Sequence, residues 1–197
     1  MFLSIFNSFV GFHLIDIVML QDLPSRKGFL PSFIGYKFFC PPTLKPAVAI
    51  CASVSFLSFH SVQPVVLPSS EDVMHVEIFT PTGCSGTNFP RYRFTNEYSG
   101  SLPGSTKSVR SFDALSDVNF ACRVAGDFNI HHHAVDTLRV VSRSEEKAST
   151  PYFGLAFDLA YSLRNTPGKS TRFPRLGPLR PSAMDLSFPN PLIYTAF

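Results

Sequence analysis

The sequence predicts an α+β layered sandwich in which helices flank two packed sheets. Three observations carry that expectation. Apolar runs of strand length recur along the chain, separated by turns rich in proline and glycine, as in sandwiches built from short strands. Phenylalanine makes up 21 of the 197 residues, and aromatic side chains favour the pleated, half-buried surface of a sheet. A helix start then appears late in the chain, at Ser149-Thr150-Pro151, where a hydroxyl N-cap precedes a proline suited to the first helical position.

The elements follow in order. Ile15 to Leu20 is a continuous apolar run ending in Gln21-Asp22, and the loop from Leu23 to Gly28 breaks it. Phe33 to Cys40 and Ala47 to Phe56 are two further apolar stretches, kept apart by Pro41, Pro42 and Pro46. Val62 to Leu67 comes next, then Val73 to Phe79 with partial alternation of Val73, His75 and Glu77 against Met74, Val76 and Ile78. Thr80 to Asn96 reads as turns with three arginine or aromatic anchors, Arg91, Tyr92 and Arg93, and Ser99 to Ser108 as a Gly/Ser/Pro-rich surface loop. Phe120 to Ala125 is the next strand. The helix should run from Pro151 to about Leu163, where Asn165-Thr166-Pro167-Gly168 stops it, and Ala183 to Phe188 closes the pattern as a strand.

A chain of 197 residues suffices for one domain with a sizeable core. We set that domain at residues 15 to 197 and read residues 1 to 14 as an irregular or misannotated start. A hydrophobic share of 45% against 16% charged excludes a disordered chain. The net charge of +3 permits a nucleic-acid partner without arguing for one. Cys40, Cys51, Cys84 and Cys122 form no Cys-x-x-Cys pair, which disfavours a zinc site; Cys51 and Cys122 lie in apolar runs and read as buried free thiols. Residues 1 to 20 are apolar, but Asn7, His13 and Asp16 interrupt them, and neither a basic start nor a small-residue cleavage site is present. No stable membrane association is expected.

The chemistry concentrates in Val124-Ala125-Gly126-Asp127-Phe128-Asn129-Ile130-His131-His132. It reads as a buried strand delivering a carboxylate, an amide and two imidazoles to the mouth of a sheet. Gly126 allows a close backbone approach. Asp127 can activate a water or bind a divalent cation, and Asn129 leaves the strand on the same face. The plainer reading of Gly-Asp-Phe-Asn is a turn after an edge strand. Asp22 follows the first strand directly, so its carboxylate emerges at a sheet edge or begins a turn. The triplet His131-His132-His133 is a poor chelator on a strand, where neighbours face opposite ways.

Four separated segments resemble one family in their order: Leu20-Gln21-Asp22, Gly126-Asp127-Phe128-Asn129, Arg172-Phe173-Pro174 and Ser182-Ala183-Met184-Asp185-Leu186-Ser187-Phe188. The family is the endonuclease/exonuclease/phosphatase superfamily. The similarity is closest to the endonuclease domains of non-LTR (LINE-type) retrotransposons of fungal genomes, and extends to Glu77-Ile78-Phe79-Thr80-Pro81, Ser144-Glu145-Glu146 and Leu163 to Gly168. The resemblance implies a four-layer α/β/β/α sandwich and a Mg²⁺- (or Mn²⁺-) dependent phosphodiesterase that nicks DNA. It implies Asp22 as the metal carboxylate, where the family usually has Glu. It further implies Asp127 and Asn129 at the attacking water and scissile phosphate, and Asp185 as the carboxylate orienting a histidine. Ser182, His131 and His132 become site-lining or phosphate-contacting groups. Arg91, Arg93, Arg172 and Arg175 could meet backbone phosphates, the plainer reading of each being ordinary surface charge.

The departures set further expectations. Phe79 stands where the family often has a tyrosine before the central proline, and no Ser-Asp-His segment closes the chain. The resemblance thus implies a partial domain, clipped at both ends. A catalytically inactive retrotransposon remnant with weak nucleic-acid binding, or a phosphatase acting on a small phosphoester, remain open beside the endonuclease reading. The setting implied is intracellular, with the nucleus as one candidate compartment.

Overall fold

Strand β3 (Val48–Ser53) is buried along its whole length, which is why its sequence VAICAS shows no polar alternation. It is the central strand of an antiparallel sheet in the order β1-β3-β2, between β1 (Ile17–Gln21) and β2 (Tyr36–Phe39). The computed structural model describes residues 15–21, 23, 33–43, 45–65, 72–80, 91–98, 120–128, 130–135, 140–164 and 185–192. These fall in two compact units, Met1–Asn96 and Glu97–Phe197.

In the first unit, the β1–β3 register sets Leu20 opposite Ala49 and Gln21 opposite Val48. Leu23, Phe33, Ala49 and Cys51 bury a small core there, with Val18, Leu20, Tyr36 and Phe38 packed around it. Ser53 ends β3 by accepting the Phe56 N–H, and so caps the one-turn helix α1 (Val54–Leu57). The chain then enters β4 (Ser61–Val65), antiparallel to β5 (Val73–Phe79). Among the described residues β4 lies at one edge of its sheet, where the missing N–H of Pro64 is tolerated.

β6 (Arg91–Tyr98) lies beside β5, in a stretch the sequence reads as turns. Its inward residues hide the strand signal: Thr95, Asn96 and Glu97 are buried and polar, so no hydrophobic period appears. Neighbours meet their needs. His75 Nδ1 pairs with Thr95 Oγ1 at 2.8 Å, and Arg93 makes an ion pair with Glu77. These two pairs advance in opposite directions along the strands, so β5 and β6 run antiparallel. The alternation read in β5 likewise marks no solvent face, because Met74, His75, Val76, Glu77 and Ile78 are all buried.

In the second unit the last residues of β6 are followed by β7 (Ala121–Asp127) and β8 (Asp185–Pro189), an antiparallel pair. Helix α2 (Arg143–Asp158) begins well before the predicted start. Ser142 and Glu145 close a reciprocal capping box: the Ser142 hydroxyl accepts the Glu145 N–H, and the Glu145 carboxylate accepts the Ser142 N–H at 2.8 Å. Two satisfied donors outcompete the single hydroxyl cap expected at Ser149 or Thr150. Those two hydroxyls instead turn back onto the Glu146 carbonyl. Pro151 sits inside the helix on its exposed side, where water can reach the carbonyl left without an N–H.

The helix also stops earlier than predicted. Ala160 N–H bonds the Phe157 carbonyl and Tyr161 N–H the Ala156 carbonyl, a Schellman ending with Ala160 at φ 61°. The following residues leave the helix axis and bond β8, through Ser162 N–H to Pro189 and Arg164 N–H to Ser187. Beneath α2, Phe128, Tyr152, Phe153 and Phe188 form a buried cluster. Phe188 meets Phe128 edge-on at 6.0 Å and Phe153 at 5.8 Å.

Cys40, Cys51 and Cys122 are free thiols, the last two buried, as the sequence implied; Cys84 lies outside the described residues. Among the described residues no helix is long and apolar enough to cross a membrane.

Two stability measurements check this description. Ala160 holds a left-handed conformation that costs an L side chain about 1–2 kcal/mol, part of which glycine returns as unfolded-chain entropy. Ala160→Gly should therefore raise the unfolding free energy by about 0.5–1 kcal/mol in denaturant melts. His75 is driven from 6.5 to about 4 by burial first and then by Arg93. Its folded pKa is the lower one, so the unfolded chain binds the extra proton. Stability should be full above about pH 6.5 and fall as the pH drops toward 4, and His75→Asn should flatten that slope.

Candidate active site

The site is built at the end of β7, and a glycine makes it possible. A Cβ on Gly126 would lie 1.9 Å from the carbonyl oxygen of Glu97 and 2.9 Å from its nitrogen. The backbone of β6 occupies that space, so no side chain fits at position 126. The next residue, Asp127, ends β7 half-buried, directly across the ladder from Asp185, the first residue of β8. Phe128 is fully buried in the aromatic cluster, and Ile130 is 2% exposed, so the chain is anchored on both sides of Asn129.

The histidines after it divide their duties. His131 is half-buried. His132 is buried; its ring stacks on Phe153 at 4.2 Å, and its Nδ1 accepts the Ala134 N–H at 3.2 Å. That bond places the ring proton on Nε2. Burial, aided by His133, holds this imidazole below the ordinary histidine range, so it is neutral at pH 7. His133 is exposed and pairs with Glu146 at 2.9 Å. Asn129, Asp22 and Ser182 lie outside the described residues, and Asp185 is placed by its backbone register alone.

By the resemblance, Phe79 stands in the place of the family's tyrosine. Because β5 and β6 run antiparallel, Phe79 falls at the Arg91 end of β6 and Tyr98 at the other. Glu97 lies against Gly126, so Tyr98 and Asp127 finish their strands at the same end. Tyr98 is thus a second tyrosine to consider beside this end of β7, and Asn96-Glu97-Tyr98 closes a strand whose polar inner residues concealed it. Arg93, considered for backbone phosphates, is held by Glu77 inside the first unit, both side chains being largely buried. Arg172 and Arg175 lie outside the described residues.

The donors suit a hard cation. Among the described residues no three His, Cys, Asp or Glu side chains gather to form a cage, and the thiol nearest in sequence, Cys122, is buried at the far end of β7. Asp127 brings a carboxylate to this end of β7, and Asp185 faces it by backbone register. One or two carboxylates completed by water match Mg²⁺ and do not match zinc.

No family model and no curated protein matches this chain. Solved structures do. The endonuclease domain of TRAS1, a telomere-specific non-LTR retrotransposon, superposes with a TM-score of 0.68 at 12% identity, covering 96% of this chain and 79% of that one. D. rerio TDP2 complexed with a single-strand DNA product gives 0.53 at 11% identity over 95% of this chain and 75% of that one. The human Nocturnin catalytic domain with a bound sulfate gives 0.51 at 13%, over 95% and 73%. The fold is thus the α/β sandwich of the endonuclease/exonuclease/phosphatase type, as the sequence resemblance implied.

Gly126→Ala tests the close approach of β6. With backbone rather than a flexible side chain in the way, overpacking should cost about 3 kcal/mol or more in an equilibrium melt. An alanine variant as stable as the parent would show that β6 does not lie there.

Proposed function

We propose that this protein is a Mg²⁺-dependent phosphodiester hydrolase that nicks DNA in the manner of a retrotransposon endonuclease. The observation that carries the reading is Asp127, released beyond a glycine that β6 packs against, across from Asp185 and beside the end of Tyr98's strand. The fold shared with the TRAS1 endonuclease domain supports it.

Asp127 acts as general base on the attacking water, which must lie within hydrogen-bond reach of its carboxylate. Asn129 offers an amide N–H to a non-bridging phosphate oxygen. The Tyr98 hydroxyl and the Nε2–H of His132 are further donors for developing negative charge, with His131 and Ser182 lining the same site. Asp185 holds an imidazole in its reactive orientation. Asp22 is the carboxylate that holds the metal. When bound, Mg²⁺ (or Mn²⁺) polarises the phosphate and neutralises charge on the departing oxygen. The partner is DNA, with backbone phosphates supplying affinity and position. We place the activity inside the cell, with the nucleus as the compartment that holds its substrate.

A supercoiled-plasmid assay tests this. The protein should convert plasmid to the open-circular form only with Mg²⁺ or Mn²⁺, and Asp127→Ala should lower the rate about a hundredfold or more. Absence of metal-dependent nicking defeats the proposal. Hydrolysis of small phosphate esters by the same preparation would then assign it as a phosphatase, and salt-sensitive DNA retention without turnover as an inactive remnant.

A further inference from the structure

We infer that Asn96 is a positioning residue that holds the end of β1, the strand that leads in sequence directly to Asp22, and that metal binding through Asp22 depends on that hold. The inference rests on the proposed metal role of Asp22. Asn96 is fully buried, and its amide makes three bonds, all to the first sheet. Its Nδ2 donates to the Leu20 and Ala49 carbonyls, each at 2.8 Å, and its Oδ1 accepts from Gln21 Nε2 at 2.6 Å.

Those partners are not scattered. Leu20 and Ala49 are cross-strand partners, so one NH₂ group bridges both strands at the last rung but one of the β1–β3 ladder. Gln21 is the final residue of β1. Beyond Asp22, Leu23 is buried and its N–H bonds the Ala47 carbonyl at 3.2 Å. The residues on either side of Asp22 are therefore both fixed, one by Asn96 and one by β3's approach segment.

β1 needs such a hold. Among the described residues it is an edge strand with β3 as its ladder partner, and none of its five residues is fully buried. An edge strand anchored on one side frays at its end. An apolar residue at 96 would fill space, but would fix neither the register nor the direction of the strand end. A satisfied amide does both, because its three bonds are directional. Outer-sphere contacts of this kind tune metal affinity through the ligand they orient.

The test is Mn²⁺ binding by the full chain without substrate, read from the paramagnetic signal of free Mn²⁺. Asp22→Ala should weaken binding. Asn96→Ala should weaken it about tenfold, and the double variant should bind no worse than Asp22→Ala alone. Gln21→Leu, which removes a single bond and spares Asn96, should give a smaller loss in the same direction and covers the case in which Asn96→Ala fails to fold. Parent-like Mn²⁺ affinity in folded Asn96→Ala, or losses that multiply in the double variant, overturns the inference and leaves the metal role of Asp22 standing. If Asp22→Ala binds as well as the parent, or the parent binds no Mn²⁺, the metal role fails and this inference fails with it.

Discussion

The Glu97 carbonyl fills the volume that a side chain at position 126 would need, and the second unit is organised around that exclusion. Only glycine lets β6 and β7 come so close, and the closeness fixes where each strand ends. Asp127 and Tyr98 are consequences of this placement: each follows its strand's point of nearest approach by one residue. A carboxylate and a phenol-bearing residue thus end neighbouring strands at the same rim.

Rigidity comes from behind. Phe128 follows Asp127 into a core shared with Tyr152 and Phe153 of α2 and Phe188 of β8. The segment after β7 cannot swing away without opening an aromatic cluster that is buried throughout. The capping box at Ser142 and the Schellman ending at Ala160 fix the length of α2, so its aromatic residues are presented at one height above β7 and β8. His132 joins the same layer through its stack on Phe153. Site and core are thus adjacent stretches of one chain.

Much of this was legible before any coordinates. β3 was marked by a continuous apolar run, since burial on both faces removes alternation and leaves length as the cue, and β1 and β7 were marked by apolar runs and β5 by partial alternation. The Gly126-Asp127 motif was legible because its chemistry and its steric demand fall on neighbouring residues. β6 was not, because Thr95, Asn96 and Glu97 are buried polar groups whose partners lie far away in sequence. A hydrogen bond spanning 75 positions, as between Gln21 and Asn96, leaves no local trace. The start of α2 was misplaced for a different reason: two hydroxyl-based signals compete, and reciprocity between Ser142 and Glu145 decides between them. With β6 hidden, Tyr98 at its end was hidden as well.

Strand β4, at one edge of the sheet among the described residues, carries a consequence of another kind. Pro64 interrupts its outer row of amide hydrogens, and Ser61, Gln63 and Pro64 are exposed along it. A neighbouring molecule offering an extended backbone would find a broken template there, so this margin resists zipping onto a second copy and guards against self-association through open sheet edges.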